Sequence, residues 1–390
     1  MKKITKLGLL VTAMSLAIMT SATAAAPSIT GAGALKAGGG VIEIGLAFDK
    51  DLDAATAGDA SHYQISKGTI SSVRFQRYVH PFGAVALETT GVTDGDTVTV
   101  TVTGVKDLEG NAMPATPKTL TVRARLTRVN VGGTNYVDVA GGSPTDWPTD
   151  AVAVGDKDYD LVSGGSIHWA GYDEVSFAYE IITGDFDKVI RVEHQDPTSQ
   201  WGRAGLMVRA ALDAGKTQAD VQDNGYLFSR NLNFRVNPAV QASGAAGFNG
   251  HQLTYRASDG GANLHAAEDP TPPAYPNAWL RVKREGQKFT GYRGTDGVNW
   301  TAVGDYTFVD ADVLPETVFV GPFYGPTLDD NGTKDIVGHS THMRVHDYGD
   351  FGVTPPPTIT ITSVTVTAGT ITITWTGGGT LQSTTSWRRQ

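Results

Sequence analysis

The stretch WLRVKREGQKFTGYRGTDGVNW, residues 279–300, contains five basic residues, four aromatic residues and an Asp-Gly pair. Leu280 and Val282 alternate with polar neighbours, and a second apolar run begins at Phe289 after a turn that contains Gly286. Alternation with a period of two is typical of a half-buried strand, and two such runs joined by a short turn are typical of a hairpin. The stretch therefore predicts paired strands, with most of its basic side chains facing outward or lying in turns.

A second turn closes the same stretch at Asp296-Gly297, a pair that favours tight turns, and we expect Trp300 to pack inward after it. Similar pairs recur at Asp94-Gly95, Asn224-Gly225, Asp259-Gly260 and Asn331-Gly332. Short strand-like runs between such turns indicate sandwiches or barrels. We therefore predict an all-β fold, with helical turns only around residues 54–62 and 217–221.

The first segment, residues 27–125, has about seven strand-like runs in about a hundred residues, which is the size of an immunoglobulin domain. Its most specific stretches are LAFDKDLDAATAGDASHYQI, residues 46–65, and GDTVTVTVTGVKDLEGNAM, residues 95–113. On these residues the segment resembles the Ig-like modules of bacterial surface and secreted proteins. The resemblance implies a spacer or stalk, and we find no site chemistry in this segment.

The second segment, residues 127–351, is too long for an Ig domain and fits a larger antiparallel sandwich. Its motifs are FAYE at 177–180, TGDFD at 183–187, AGLMVR at 204–209, and the hairpin residues Arg284, Gly286, Phe289, Tyr292, Asp296, Gly297 and Trp300. On these residues the segment resembles the bacterial concanavalin A-like lectin/glucanase domain. The resemblance implies a jelly-roll sandwich and leaves its ligand open.

The two ends of the chain carry different signals. Residues 1–24 combine three lysines, an apolar run and the small residues Ala22-Thr23-Ala24, as in an export signal that is cleaved. A Pro-rich linker at 352–358 precedes residues 359–390, which resemble the opening of an Ig- or fibronectin-like module. We expect an extracellular or cell-surface protein with no membrane insertion after cleavage, and we expect the last module to be incomplete because the chain is truncated.

Composition excludes several classes of function. The net charge is −9, and −12 without the three lysines of residues 1–24. Nucleic acids and anionic membranes bind basic surfaces, so neither is an expected partner. The chain contains no cysteine, which excludes disulfides and a thiol nucleophile.

Acidic and histidine pairs give no support for an enzyme. Glu174 and Glu180 would lie ~20 Å apart on one strand, whereas the two carboxylates of a glycosidase lie ~5–10 Å apart. His342 and His346 would lie ~13 Å apart on a strand, too far to share a zinc ion, and we expect both to face solvent. No nucleophile elbow or phosphate loop is present. A glycoside hydrolase is therefore only the third alternative.

Two acidic loops are candidates for a structural calcium ion. Asp156, Asp158 and Asp160 have the spacing with which an EF-hand loop begins, although its later glycine and glutamate are missing. Asp329 and Asp330 lie in a second acidic loop. The alternative is that both loops are simply well solvated.

Aromatic and arginine side chains of the second segment are the candidates for ligand binding. Sugars stack on aromatic rings while polar side chains fix their hydroxyls, although aromatic residues also fill sandwich cores. The candidate residues are Trp201, Arg209, Arg230, Arg235, Tyr255 and Arg256. We expect a non-catalytic recognition protein that binds a polysaccharide or cell-surface glycan; the alternative is a structural or adhesion protein whose sandwiches are spacers.

Overall fold

The computed structural model describes residues 25–78, 82–132, 149–163, 171–197, 202–237, 250–326 and 341–352, and the backbone of 360–367 and 370–376. Strands dominate these residues, so the predicted all-β class is confirmed. The predicted residues Trp201, Asp329 and Asp330, the export signal and residues 353–358 of the Pro-rich linker lie outside the described residues. No helix in the described part of the chain is long and apolar enough to cross a membrane.

Twenty-three strands are present in the described residues. In chain order they are β1 Ile29–Lys36, β2 Ile42–Phe48, β3 Tyr63–Ile65, β4 Thr69–Gln76, β5 Ala84–Thr90, β6 Thr97–Val102, β7 Thr116–Thr121, β8 Thr127–Val131, β9 Asp150–Ala153, β10 Tyr159–Val162, β11 Val175–Thr183, β12 Phe186–Gln195, β13 Arg203–Arg209, β14 Asn231–Val236, β15 His251–Arg256, β16 Leu264–Asp269, β17 Ala278–Glu285, β18 Lys288–Gly294, β19 Trp300–Thr307, β20 Thr317–Gly325, β21 His342–Asp350, β22 Thr360–Thr367 and β23 Thr370–Thr376. The last two pair as an antiparallel hairpin.

Both predicted helical turns are confirmed. Helix α1 is Ala54–Ala57, followed by a 3₁₀ turn at Ala60–His62, and helix α2 is Gln218–Asn224. Side chains cap both helices: Asp53 accepts from the Thr56 N–H, and Thr217 forms a capping box with the third helical residue. Such caps satisfy N–H groups that have no partner inside the helix.

Strands β1–β7, the N-terminal module, form two layers. Strands β1, β2, β5 and β4 lie in one sheet, and β3, β6 and β7 form the other. The alternation in TVTVTV of β6 places Val98, Val100 and Val102 in the core, fully buried, while the threonines between them face outward. Seven strands in this arrangement agree with the number that the sequence predicts.

Strands β8–β21, the larger sandwich, enclose a second core. One layer is a seven-stranded sheet with the order β19-β18-β17-β12-β21-β10-β9. The other layer is β16-β15-β14-β13-β20-β11-β8. Alternate residues of both layers meet in the core, among them Ile190 of β12, Leu206 of β13 and Leu280 of β17, all fully buried. The period-two pattern thus determines which side of each strand faces the other sheet.

One sheet runs through both parts of the chain. Strand β1 pairs in parallel with β8 through Lys36 and Thr127, and the Lys36 N–H donates to the Leu126 carbonyl at 2.8 Å. The result is an eleven-stranded sheet whose edges are β4 and β16. The boundary that the sequence places at residues 125–127 therefore lies inside a continuous sheet.

Strand β9 packs directly on the N-terminal module because glycines leave room for its backbone. A Cβ atom at Gly45 would lie 1.9 Å from the Ala153 carbonyl oxygen, and one at Gly31 would lie 2.1 Å from the Val154 carbonyl oxygen. Small apolar residues complete this contact, including Ala84 and Ala86 of β5 and Val152 of β9. The two parts of the chain therefore meet backbone to backbone.

Buried charges join the same two parts. Arg74 of β4 pairs with Glu43 of β2 at 2.5 Å and with Asp150 of β9 at 3.2 Å. Arg128 of β8 pairs with Glu43 at 2.7 Å. Burial raises the pKa of Glu43, but hydrogen bonds from Arg128 and Arg74 outweigh it and leave the pKa below its usual value. The cluster contains side chains from both sides of the boundary, so separating the parts would break the Arg74–Asp150 and Arg128–Glu43 pairs.

Residues 279–300 form most of β17, all of β18 and the start of β19, as predicted, but two of their side chains differ from the prediction. Trp300 does not enter the core; its ring contacts Trp279 and Phe351 edge-on, on the outer face of the seven-stranded sheet. Arg284 is buried, and donates to the carbonyl oxygens of Gly286, Pro315 and Glu316. These three hydrogen bonds give the buried guanidinium the polar partners that it needs inside the protein.

Candidate functional site

The predicted arginines lie mainly on the outer face of the eleven-stranded sheet. Arg209, Arg235 and Arg256, from the adjacent strands β13, β14 and β15, share this face, and none is more than 1% exposed. Their neighbours on the strands point into the sandwich core. The structure therefore brings together three of the six residues predicted to bind a ligand.

Two of these arginines serve a buried carboxylate. Asp173, fully buried, accepts from Arg209 at 2.7 Å and from two nitrogens of Arg256 at 2.9 Å. Burial raises the pKa of Asp173, but the two guanidinium charges outweigh it and hold the pKa at about 2. Arg209 also pairs with Asp213. Because their charges are compensated inside the protein, Arg209 and Arg256 are structural in this arrangement.

Arg235 differs because all its partners among the described residues are neutral. Its guanidinium donates to Gln252 Oε1 at 2.7 Å, Asn233 Oδ1 at 3.0 Å and Thr254 Oγ1 at 3.0 Å. Burial and the charge of Arg203 lower the pKa of Arg235 well below its usual value. Beside it, Nδ2 of Asn233 is buried and has no hydrogen-bond partner in the described part of the chain. This corner of the sheet therefore contains a buried guanidinium with no carboxylate partner among the described residues.

The other predicted ligand-binding residues lie elsewhere. Arg230 precedes β14, and its guanidinium donates to the carbonyl oxygens of Ala311 and Val313 at 3.1 Å. Tyr255 lies on the core side of β15 and stacks on Tyr306, with ring centroids 3.6 Å apart. One residue of offset along a strand reverses the side-chain direction, so Tyr255 cannot share the face of Arg256.

The three predicted calcium carboxylates that the structure describes, Asp156, Asp158 and Asp160, each pair with a different cationic side chain. Asp160 accepts two hydrogen bonds from Arg344 at 2.6 Å, and Asp158 pairs with His346 at 3.2 Å. Asp156 is exposed and lies 3.4 Å from Arg125. A calcium site requires six to eight oxygens around one point. The described carboxylates of 156–160 are not gathered in that way.

A β-bulge in β12 creates a different group of polar side chains. The register between β12 and β21 shifts between Val192 and His194, because Glu193 is an extra residue there. A bulge places two consecutive side chains on one face of a sheet. Val192 points into the core, whereas Glu193 and His194 both line a cleft on the outer side of the seven-stranded sheet.

This cleft lies between the N-terminal module and the larger sandwich and has a volume of about 580 Å³. The module contributes Phe48, Asp49 and Phe82, and the sandwich contributes Glu193, His194, Tyr275, Pro276 and Arg344. We call this space the inter-module cleft. Its volume is within the usual range of ligand sites, roughly 300–1,000 Å³, and it combines apolar walls with a few polar groups.

Hydrogen bonds fix the polar groups of the inter-module cleft. Glu193 accepts from His346, and Arg344 is held by Asp160, which also accepts from Tyr78 of the N-terminal module. Burial lowers the pKa of His346, but hydrogen bonds to Asp158 and Glu193 outweigh it and raise the pKa to about 9. His346 is therefore a cation at neutral pH, and the cleft contains fixed charges of both signs.

A His–Asp–His cluster adjoins the inter-module cleft. Nε2 of His194 lies 2.8 Å from Oδ1 of Asp196, and Nδ1 of His342 lies 2.9 Å from Oδ2 of the same carboxylate. The His342 backbone N–H also donates to Asp196 at 2.8 Å. His342 is fully buried and stacks on Tyr78, with centroids 4.0 Å apart. The expectation that His342 faces solvent is therefore wrong, because the N-terminal module covers it.

Sequence reasoning missed Glu193, His194 and Asp196. The only local signal is the succession EHQD at 193–196, where polar residues continue a strand that alternates up to Val192. Such a break in alternation is typical of a bulge. Nothing in the sequence shows that these polar residues lie next to Tyr78 and Phe82 of the N-terminal module.

Comparisons with known proteins give no family. No protein-family model matches the chain, and no curated protein matches it. Among solved structures, a functionally unknown protein from Saccharomyces cerevisiae is similar over 58% of this chain and 95% of its own, with 15% identity and a TM-score of 0.34. A xylan beta-1,4-xylosidase from Bacillus halodurans C-125 is similar over 82% of this chain and 53% of its own, with 12% identity and a TM-score of 0.34.

A third solved structure, domains 1–6 of the surface layer protein SbsC, is similar over 91% of this chain and 63% of its own, with 12% identity and a TM-score of 0.22. Similarities of this size do not assign an activity. By their names, the similar structures include a xylosidase and a surface layer protein.

Proposed function

We propose that this chain is an exported recognition protein that binds carbohydrate, and that the inter-module cleft is the binding site. The observation that carries the proposal is the composition of that cleft. The partly exposed rings of Phe82 and Tyr275 lie in its walls, next to a carboxylate, an imidazole and a guanidinium. A sugar offers apolar C–H faces for the rings and hydroxyls for the polar groups.

The polar groups suit hydroxyl recognition better than catalysis. Glu193 is hydrogen-bonded to His346, and its pKa is lowered, first by that bond. A glycosidase needs one carboxyl group with a raised pKa as the general acid. Glu193 is instead a fixed hydrogen-bond acceptor, and Arg344 is a fixed donor. We therefore propose binding without hydrolysis.

Glycan-array binding with the mature chain, in calcium and in EDTA, tests the proposal. For any glycan that binds, we expect Tyr275→Ala to weaken affinity at least tenfold, because it removes a ring from the cleft wall. Trp279→Ala is the matched control, since Trp279 lies in the separate aromatic group with Trp300. Circular dichroism checks that both variants are folded.

Two outcomes would contradict the cleft as the site. One is an unchanged affinity in Tyr275→Ala together with a loss in Trp279→Ala or Trp201→Ala. The other is an array without hits under both conditions, which would favour a structural protein.

The second candidate function is that of a rigid structural element at the cell surface. It is favoured by the continuous eleven-stranded sheet, which fixes the N-terminal module against the larger sandwich. A spacer needs such stiffness but needs no cleft. Release of reducing sugar from any polymer would favour the third alternative, a glycoside hydrolase.

A further inference from the structure

We propose that His194, Asp196 and His342 bind one divalent transition-metal ion, with zinc as the representative ion. Their donor atoms all lie within 4.8 Å of one another. Two imidazole nitrogens and one carboxylate oxygen form a ligand set that suits zinc and its neighbours in the first transition row. This site uses none of the carboxylates predicted for calcium.

The spacing of the donors fits an ion. Around a tetrahedral ion with metal–ligand bonds of ~2.0–2.1 Å, ligand atoms are separated by roughly 3.3 Å. The two N···O distances of the cluster are 2.8 Å and 2.9 Å. On binding, these two contacts would lengthen by roughly 0.5 Å, and the ion would replace two N–H···O hydrogen bonds and release protons.

The state of His342 is a second, independent observation. Its ring is fully buried between Tyr78 and His194, and its Nε2 atom has no hydrogen-bond partner among the described residues. A buried polar atom without a partner costs ~1–3 kcal/mol. Asp196 is the only described hydrogen-bond partner of this ring, and the stacking holds Nδ1 towards the carboxylate at which the ion would bind.

The position of the cluster gives the ion a route and a role. His194 lines the inter-module cleft, so an ion can enter from solvent and retain one coordination position on that side. Asp196 follows β12 and His342 begins β21, so the ion would join these two strand ends. Tyr78 of the N-terminal module stacks on a ligand ring, and metal binding would therefore strengthen the contact between the two parts of the chain.

Isothermal titration of the EDTA-treated mature chain with zinc tests the proposal, and cobalt absorption provides a spectroscopic signature of the site. We expect one zinc ion per chain, and an affinity that falls at least tenfold in His194→Ala. His194 is half-buried and outside the core, so this variant should fold. His62→Ala is the control, because His62 lies in the N-terminal module and bonds to the Thr103 carbonyl.

The wild-type chain should also gain thermal stability on zinc addition, and His194→Ala should gain none. The proposal is overturned if the wild type binds no zinc, or if His194→Ala binds zinc with unchanged affinity and stoichiometry. Equal losses in His194→Ala and His62→Ala would also overturn it, because they would indicate adventitious binding to surface histidines.

Discussion

Replacing Asp173 by asparagine should destabilise the larger sandwich more than any surface substitution. Asp173 is the only carboxylate, among the described residues, that pairs with Arg256, and it shares Arg209 with Asp213. Asparagine keeps the volume but removes the charge and directs N–H groups at guanidinium donors. Removing one partner of a buried ion pair costs about 3–5 kcal/mol, and we expect a loss of that size at pH 7.

The pKa of Asp173 gives a second value for the stabilisation that its ionised carboxylate provides. The pKa of Asp173 is about 2 in the folded chain, against 3.8 for the free side chain. At about 1.4 kcal/mol per pKa unit, the ionised carboxylate contributes about 2 kcal/mol. Because the folded pKa is the lower one, this contribution is complete above pH 4 and disappears as the pH falls towards 2. Asp173→Asn should lack this pH-dependent part of the free energy of unfolding.

Urea unfolding, followed by tryptophan fluorescence at pH 7 and pH 3, measures both effects. Asp305→Asn is the control, because Asp305 pairs with Lys288 and both side chains are about half exposed. Exposed pairs contribute little, at most about 1 kcal/mol. A loss below about 1 kcal/mol in Asp173→Asn at pH 7 would refute the assignment of a structural role to Asp173.

Three further substitutions test other contacts. Gly45→Ala should lower the free energy of unfolding by about 3 kcal/mol, because the new Cβ would lie 1.9 Å from the Ala153 carbonyl oxygen. Gly38→Ala is the control and should be neutral, because nothing lies within 4 Å of its Cβ position. Equal unfolding midpoints for the two variants would exclude the tight contact at Gly45. His346→Gln should flatten the pH dependence of stability between about pH 6.5 and 9. In the folded wild type the pKa of His346 is raised to about 9, so the protonated imidazole stabilises the fold most below about pH 6.5. This stabilisation is lost as the pH rises through 9. Denaturant midpoints measured across that pH range test this prediction. If the midpoints of the wild type and His346→Gln change in parallel with pH, the prediction is wrong. Tyr78→Phe should cost about 2 kcal/mol because it removes a buried hydrogen bond to the Asp160 carboxylate; calorimetry that shows no change would count against that bond.

The sequence predicts the parts of the fold that depend on local alternation. TVTVTV of β6 and the hairpin of β17 and β18 have a period of two over their length, and the structure contains both. The short helices are predictable for the same reason, because Asp53 and Thr217 cap them within three residues. Each of these signals is contained in a short segment.

The candidate site depends on contacts that no local pattern contains. Alternation correctly places His342 on the outer face of β21, but it cannot show that Tyr78, 264 positions earlier in the chain, covers that face. Arg256 and Asp173 are 83 residues apart, and their pairing depends on how distant strands are ordered. Aromatic rings usually fill cores, which favours an inward position for Trp300. In the structure Trp300 instead packs with Trp279 and Phe351 on the outer face of the sheet.

The eleven-stranded sheet has a mechanical consequence. With neighbouring strands ~4.8 Å apart, eleven strands span roughly 50 Å from β4 to β16. Its two halves are joined between β1 and β8 by one register pair, Lys36 with Thr127, and β9 supports this junction by packing on β1, β2 and β5. A rotation of the N-terminal module against the larger sandwich would have to break this pair and the contacts of β9, and it would change the width of the inter-module cleft at the same time.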